Sequence, residues 1–310
     1  MEEEKKPSVF LDASAHFLAG WVSGCAGVLV SHPFDTVKVR LQTQGVVPNV
    51  TQHYTGTWHC LVDTIKRESL YGLFKGMSSP LLGTALWNAV VFGTYGNTVR
   101  LLSGGDLEKQ HHMKTVFLGS LAAGIAQTFV ICPLELTKTR LQIQSSVEST
   151  VYKGLIDCVK KIYQQDGWKG IFNGYQATVY RDIIGFPVYF CAFEVLCRMM
   201  SEEKPPYKDL GPVALILGGG LAGALSWACA FPPDVIKCRI QVDYSGKYTD
   251  FSDCFKKSYK EEGMQLFRRG FAPCVIRGFP MNAAIFSIYH LSIRFYEERW
   301  TGTDLSKNYS

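Results

Sequence analysis

No Cys-x-x-Cys pair occurs among the ten cysteines of this 310-residue chain, and its seven histidines are dispersed, with only His111 and His112 adjacent. The pattern is one of reduced thiols without a metal, and no clustered His, Cys and Glu set offers an enzyme its nucleophile or metal constellation. The acidic stretch from Met1 to Pro7 has neither an apolar core nor an Arg-rich amphipathic run. Neither a secretory signal nor a cleavable transit peptide is therefore expected, and targeting falls to internal signals. Charge is missing from four long segments, Ala13 to Phe34, Gly76 to Val99, Thr115 to Leu134 and Gly211 to Pro233, which hold no Asp, Glu, Lys or Arg. Each is long enough to cross a hydrocarbon core of ~30 Å as a helix of ~20 residues. A hydrophobic content of 47% and a mean hydropathy of +0.03 would pass for a soluble protein; the distribution argues for a membrane protein.

What is present is a repeat. Pro33, Asp35, Lys38, Arg40 and Gln42 return as Pro133, Glu135, Lys138, Arg140 and Gln142, and again as Pro232, Asp234, Lys237, Arg239 and Gln241, at intervals of about 100 residues. This divides the chain into units 1–110, 111–207 and 208–310. Each unit needs a second span. The register supplies Gly76 to Val99, then Gly174 to Cys197 and Gly270 to Ile293, the last two interrupted by Arg181 and Asp182 and by Arg277. Six spans result, an all-α membrane protein. Between the two spans of each unit lie Asp35 to Gly76, Glu135 to Gly174 and Asp234 to Gly270, which carry 19 of the 32 Lys and Arg residues. By the positive-inside rule these segments face one compartment, and six crossings put both termini in the other. Nucleic-acid binding is the rival reading of a basic stripe, but here Lys and Arg alternate with Asp and Glu, as on a solvated amphipathic helix.

Within a unit, the first span carries small residues four apart, at Gly20 and Gly24, Ser120 and Gly124, and Gly219 and Gly223. Such faces let helices approach closely in lipid. The proline that follows removes a backbone donor and bends the helix, so three helices can converge at one end. Polar loops at Gly45 to Thr51, Ser145 to Thr150 and Asp243 to Gly246 come next. A short amphipathic helix begins near Tyr54, Tyr152 and Tyr248, with Leu61, Ile65, Ile156, Val159, Ile162, Phe251 and Phe255 at helical spacing, and lies along the membrane surface. Each unit closes on a second signature, Glu68 to Gly76, Asp166 to Gly174 and Glu262 to Gly270. Its glycines admit a turn, and the helix that follows offers unpaired N–H groups suited to a phosphate, with a purely structural turn as the other reading.

Pro-x-acid-x-x-Lys-x-Arg three times, with the closing signature three times, resembles the mitochondrial carrier (solute carrier 25) family over about residues 13 to 297. The first motif is complete in every copy; the second departs at Ser69 (for Gly), Asn173 (for a basic residue) and Arg268 (for the aromatic). The resemblance implies six tilted helices in three pseudo-symmetric repeats around a central cavity, each repeat with a short helix on the matrix side. It further implies a monomer in the inner mitochondrial membrane, with both termini toward the intermembrane space, cardiolipin at the helix N-termini, and transport of a small metabolite by alternating access. No cofactor is implied.

Asp35, Glu135 and Asp234 stand three residues before Lys38, Lys138 and Lys237, so acid and base share one helical face. The family's pairing implies a matrix gate of Asp35 with Lys138, Glu135 with Lys237, and Asp234 with Lys38, braced by Gln42, Gln142 and Gln241. Hydrated pairs of ~0–1 kcal/mol each can be opened by substrate binding energy, whereas dry rigid ones could not. The family's opposite gate uses an aromatic-acid-x-x-base motif, for which the register offers Tyr95-Gly96-x-x-Val99, Phe193-Glu194-x-x-Cys197 and Tyr289-His290-x-x-Ile293. Only Glu194 keeps the acid and no copy keeps the base. The gate toward the intermembrane space is expected to be weak and the empty protein open on that side.

An ionisable residue inside a span costs roughly 2.5–3.5 kcal/mol on insertion scales, so it faces water or a partner. Arg181 and Arg277 each lie seven residues after the closing glycine, where repeat one has Gly83. One cavity level is thus lined by Gly83 and Thr84, Arg181 and Asp182, and Arg277 and Gly278, the level at which the family binds substrate. Arg forks onto a carboxylate and Asp182 can meet an ammonium, which suits a zwitterionic or cationic metabolite. The set resembles the carnitine/acylcarnitine and basic amino-acid branch, as does Val275 to Ala283. Trp87, beside Asn88, stands where carriers of ornithine-like substrates have an acid, and can hold a trimethylammonium head by cation–π contact or serve as a structural Trp. Carnitine-like, choline-like and basic or methylated amino-acid substrates are expected. A non-transporting or proton-leak homologue is the alternative; a nucleotide carrier is disfavoured because Asp182 would repel phosphates.

Overall fold

The computed structural model describes residues 9–46, 54–106, 110–144, 151–201 and 210–300. Both chain ends, the loop expected at 145–150 and most of that at 45–51 lie outside these residues. Every described element is helical. Repeat one contains α1 (Val9–Gln42), α2 (Thr57–Glu68), a 3-10 turn (Leu70–Phe74) and α3 (Ser78–Ser103). Repeat two contains α4 (Met113–Ile143), α5 (Leu155–Ile171) and α6 (Tyr175–Met200). Repeat three contains α7 (Pro212–Val242), α8 (Phe251–Glu262), α9 (Gln265–Arg268), α10 (Phe271–Ile276) and α11 (Gly278–Trp300). The expected second span of repeat three is therefore divided at Arg277 into α10 and α11.

Four of the described helical segments, Met113–Ile143, Tyr175–Met200, Val213–Val242 and Gln265–Ile293, are long and apolar enough to cross a membrane by themselves. The helices α1 (34 residues) and α3 (26 residues) have the length, but Gly, Ser, Thr, His and Asn dilute their apolar residues. They complete a ring in which α3 packs on α4, α4 on α6, α6 on α7, and α11 on α1. Lighter contacts of α1 with α3, and of α7 with α10 and α11, close it.

The second small residue of each pair marks where a neighbouring helix comes close. A Cβ on Gly24 would lie 2.9 Å from Thr84, and one on Gly124 would lie 3.1 Å from the Asp182 carbonyl, whereas Gly223 leaves 3.9 Å to Tyr189. Pro33, Pro133 and Pro232 sit inside continuous helices. Beyond them the surface helices dock on one face: Tyr54 and Cys60 pack with Val37, Leu41 and Leu73, Tyr152 and Cys158 with Leu136, Leu141 and Ile162, and Tyr248 and Cys254 with Val235, Ile236 and Leu266. Burying one such Leu or Ile stabilises by ~1.5–3 kcal/mol, which fixes each surface helix to the long helix of its own repeat.

The closing glycines do the reverse and join consecutive repeats. Gly76 (φ 78°) and Gly270 (φ 81°) would place a Cβ 2.9 and 3.0 Å from the carbonyls of Lys138 and Lys38, which belong to the next long helix around the ring. Only glycine combines that φ with that approach. Ser69 adopts φ 58°, beside 61° and 59° at its counterparts Gly167 and Gly263, so the departure in sequence leaves the turn itself in place.

Candidate functional site

The C-terminal halves of α1, α4 and α7 converge, and their acids and lysines meet between repeats. Lys138 Nζ lies 2.5 Å from Asp35, Lys237 Nζ 2.8 Å from Glu135, and Lys38 Nζ 2.7 Å from Asp234. The three glutamines are unequal. Gln42 Nε2 donates to Asp234 Oδ2 at 3.2 Å. Gln142 donates instead to Thr36 at 3.2 Å, and Gln241 accepts from Thr139 at 3.2 Å. Of the three glutamines, Gln42 bonds an acid of the ion-pair ring, whereas Gln142 and Gln241 bond threonines of the neighbouring long helix.

At the opposite end, Glu194 on α6 pairs within its own helix and with the residues just before α4: it accepts from Arg198 one turn later at 3.1 Å and lies 3.1 Å from His111 Nδ1. The cavity between the two ends, about 460 Å³, is lined from every repeat, by Gly83, Thr84, Trp87 and Asn88, by Arg181 and Asp182, and by Arg277 and Gly278. The level expected from the repeat register is thus brought together.

Both cavity arginines are already engaged. Arg181 Nη1 donates to the two oxygens of Glu135 at 2.6 and 2.7 Å, and its Nε donates to Asp182 at 2.7 Å. Arg277 donates to Asp35. Asp35 and Glu135 are therefore each shared between a lysine of the converging ring and an arginine of the cavity, while Arg181 stands 3.8 Å from Asp234. Asp182 is only 2% exposed and accepts from Gln127, from Thr128 at 3.1 Å and from Arg181. Three donors thus occupy Asp182, one of them the Nε of Arg181, a bond that can hold that guanidinium in place.

Trp87 and Asn88 line the cavity, with the Trp87 indole nitrogen buried and without a hydrogen-bond partner. The indole that carries cations is a different one. Trp227 on α7 has Lys38 Nζ 4.4 Å from its ring centroid and the Arg277 guanidinium at 4.2 Å, so its face bridges the converging ring and the cavity. Trp227, Gln127 and Thr128 escaped the sequence reading because it followed residues present in every copy. The signal was the opposite one: the equivalents of Gln127 are Gly27 and Ser226, and those of Trp227 are Val28 and Thr128. An aromatic wall continues upward, with Tyr95 stacked on Phe190 at 4.4 Å and Tyr189 on Phe193 at 6.4 Å.

A ring of long helices around a cavity lined in part by charged side chains, closed at one end by ion pairs that join all three repeats, is the architecture of a membrane solute transporter. The family model for mitochondrial carrier protein matches residues 11–106, 109–204 and 208–299. Mitochondrial basic amino acids transporters of Bos taurus and Homo sapiens are 45% and 44% identical to this chain over 274 residues, covering 87% of it and 88% and 87% of their own lengths. Solute carrier family 25 member 48 of Mus musculus is 40% identical over 296 residues, covering 90% of this chain and 94% of its own. The chain belongs to the mitochondrial carrier family, as a multi-pass metabolite carrier of a mitochondrial membrane.

Proposed function

We propose that the protein exchanges a zwitterionic or cationic metabolite across the inner mitochondrial membrane by alternating access, as a monomer with both termini toward the intermembrane space. The substrate class is that of carnitine and acylcarnitine, choline, and basic or methylated amino acids. The observation that carries this reading is the sharing of Glu135 and Asp35 between gate lysines and cavity arginines. Breaking a buried Arg–carboxylate pair costs several kcal/mol when nothing replaces either partner. A substrate with both charges replaces both: its carboxylate takes the Arg181 or Arg277 fork, and its ammonium takes the acid so released. Trp227, and Trp87 above it, offer faces to a methylated ammonium. Choline satisfies only the acid, so it should bind less tightly than a betaine of similar size.

Loading thereby weakens the same acids that close the matrix end, which couples binding to opening. Lys38, Lys138 and Lys237 with Asp35, Glu135 and Asp234 act as the matrix gate, with Gln42 as its brace. The names of the basic amino acids transporters support the substrate class. The starts of α3, α6 and α10, after Gly76, Gly174 and Gly270, suit a cardiolipin phosphate. A thermal-shift screen of the purified protein tests the substrate: a ligand at ~100 times its Kd stabilises by ~2.7 kcal/mol. Stabilisation by carnitine, lysine or trimethyllysine is the expected result. Stabilisation by none of them, with a response to nucleotides, would overturn it.

A further inference from the structure

Below the acid–lysine pairs, the second basic residue of each motif makes a contact that the pairs do not require. Arg40 Nε donates to the backbone carbonyl of Gln142 at 3.1 Å, Arg140 Nε to that of Gln241 at 3.0 Å, and Arg239 Nε to that of Gln42 at 3.0 Å. The three bonds run around the axis in one direction, each from one long helix to the next, and return to their start. All three guanidiniums are buried, and the three acceptor glutamines are fully so. The acceptors are not ordinary helix carbonyls. Gln42 is the last residue of α1, and Gln142 and Gln241 are next to last in α4 and α7. Carbonyls there lack intrahelical partners and carry the negative end of the helix dipole, so a guanidinium is the donor that suits them.

The remaining guanidinium nitrogens hold each arginine to its own repeat. Arg40 forks onto Glu68 at 2.8 and 3.0 Å, and Arg239 reaches Glu262 at 2.6 Å. Arg140 is held differently, by Tyr152 Oη at 3.4 Å and by the Tyr244 ring at 4.9 Å, while Asp166, the acid at the matching place, is exposed. Each arginine thus ties a surface helix or loop and its own long helix to the end of the neighbouring one.

We propose that Arg40, Arg140 and Arg239 form a second closing ring on the matrix side, which must open together with the acid–lysine ring when the three helix ends separate. They are positioning residues: they hold the closed state and do not meet the substrate. The inference rests on the carrier reading only for its direction of opening, and its test needs no transport.

Arg140→Met is the informative substitution, because it removes one bond of the ring and strands no buried carboxylate. Tyr244→Leu, at a side chain 45% exposed, loosens the same arginine with less risk to folding. The probe is N-ethylmaleimide on the full-length protein, with modification of each native cysteine followed by mass spectrometry. Cys238 lines the cavity floor between Lys237 and Arg239 and is 2% exposed. Cys60 and Cys254, fully buried under the surface helices of the other two repeats, report general unfolding. Loss of one charge-assisted hydrogen bond, about 1.4 kcal/mol, raises Cys238 modification about tenfold in Arg140→Met. A smaller rise is expected in Tyr244→Leu, with the two control cysteines unchanged in both. An unchanged Cys238 rate in both variants overturns the proposal. So does a parallel rise at Cys238 and the controls, which would assign Arg140 to general stability.

Discussion

Replacing Arg181 by Ala strikes the most heavily loaded side chain of the cavity. It removes two bonds to Glu135 and one to Asp182, all at 2.6 to 2.7 Å, from a residue that is 6% exposed. Glu135 keeps Lys237 at 2.8 Å, but Asp182 keeps only the neutral donors Gln127 and Thr128 and is left a buried anion without a cation. Removing one partner of a buried pair destabilises by about 3–5 kcal/mol. At roughly 2 °C per kcal/mol for a chain of this size, thermal unfolding of the purified variant should fall by at least about 6 °C. Adding Asp182→Asn removes the stranded charge while keeping an acceptor for Gln127 or Thr128. The double variant should recover about 1–3 kcal/mol, the coupling expected of residues in contact. Additive losses within about 0.5 kcal/mol would show that Asp182 does not depend on Arg181 and would refute the assignment of Asp182 as its orienting partner.

Three further outcomes follow from groups on and under the surface helices. Ser69→Gly should stabilise the protein by about 1 kcal/mol or more in thermal unfolding, because Ser69 occupies a conformation (φ 58°, ψ −172°) that is open essentially to glycine alone; a loss of stability would contradict that strain. Burial pushes the thiols of Cys60, Cys158 and Cys254 up to about 12, so none should be alkylated at pH 8 in the folded protein; prompt labelling of any of the three would contradict their burial. Burial alone would raise the Glu68 carboxyl, but Arg40 and Lys75 outweigh it and hold it below the ordinary glutamate range. A depressed folded value means stability that is present above the unfolded pKa and lost as pH falls through the folded one. Glu68→Gln should therefore unfold at a lower temperature than the unmodified protein at pH 7, and the difference should shrink on acidification; a constant gap would refute the linkage.

The fold was legible because threefold repetition turned weak local signals into one strong one. A lone acid three residues before a lysine is an ordinary helical surface pair, but Asp35, Glu135 and Asp234 in register fixed where three helices converge. The same reliance on repetition hid part of the site. Gln127 and Trp227 occur in one copy each, so register offered no support for them, although a polar residue and an indole in a charge-free span are informative for that reason. Competition among neighbours was equally invisible. Nothing in the spacing of Gln142 or Gln241 indicates that Thr36 and Thr139 take up their side chains, nor that Asp182 is saturated by donors on α4. Cavity level follows from register, whereas the partner of a given side chain follows from three-dimensional packing.

The central claim is that Arg277 and Arg181 pass between gate acids and a substrate carboxylate. Uptake of labelled lysine and carnitine into proteoliposomes, by the unmodified protein and by Arg277→Ala, tests it most directly. Saturable, exchange-stimulated uptake of at least one of the two, lost in the variant, is expected. Uptake that survives in Arg277→Ala, or no uptake of either solute by the unmodified protein, would contradict it.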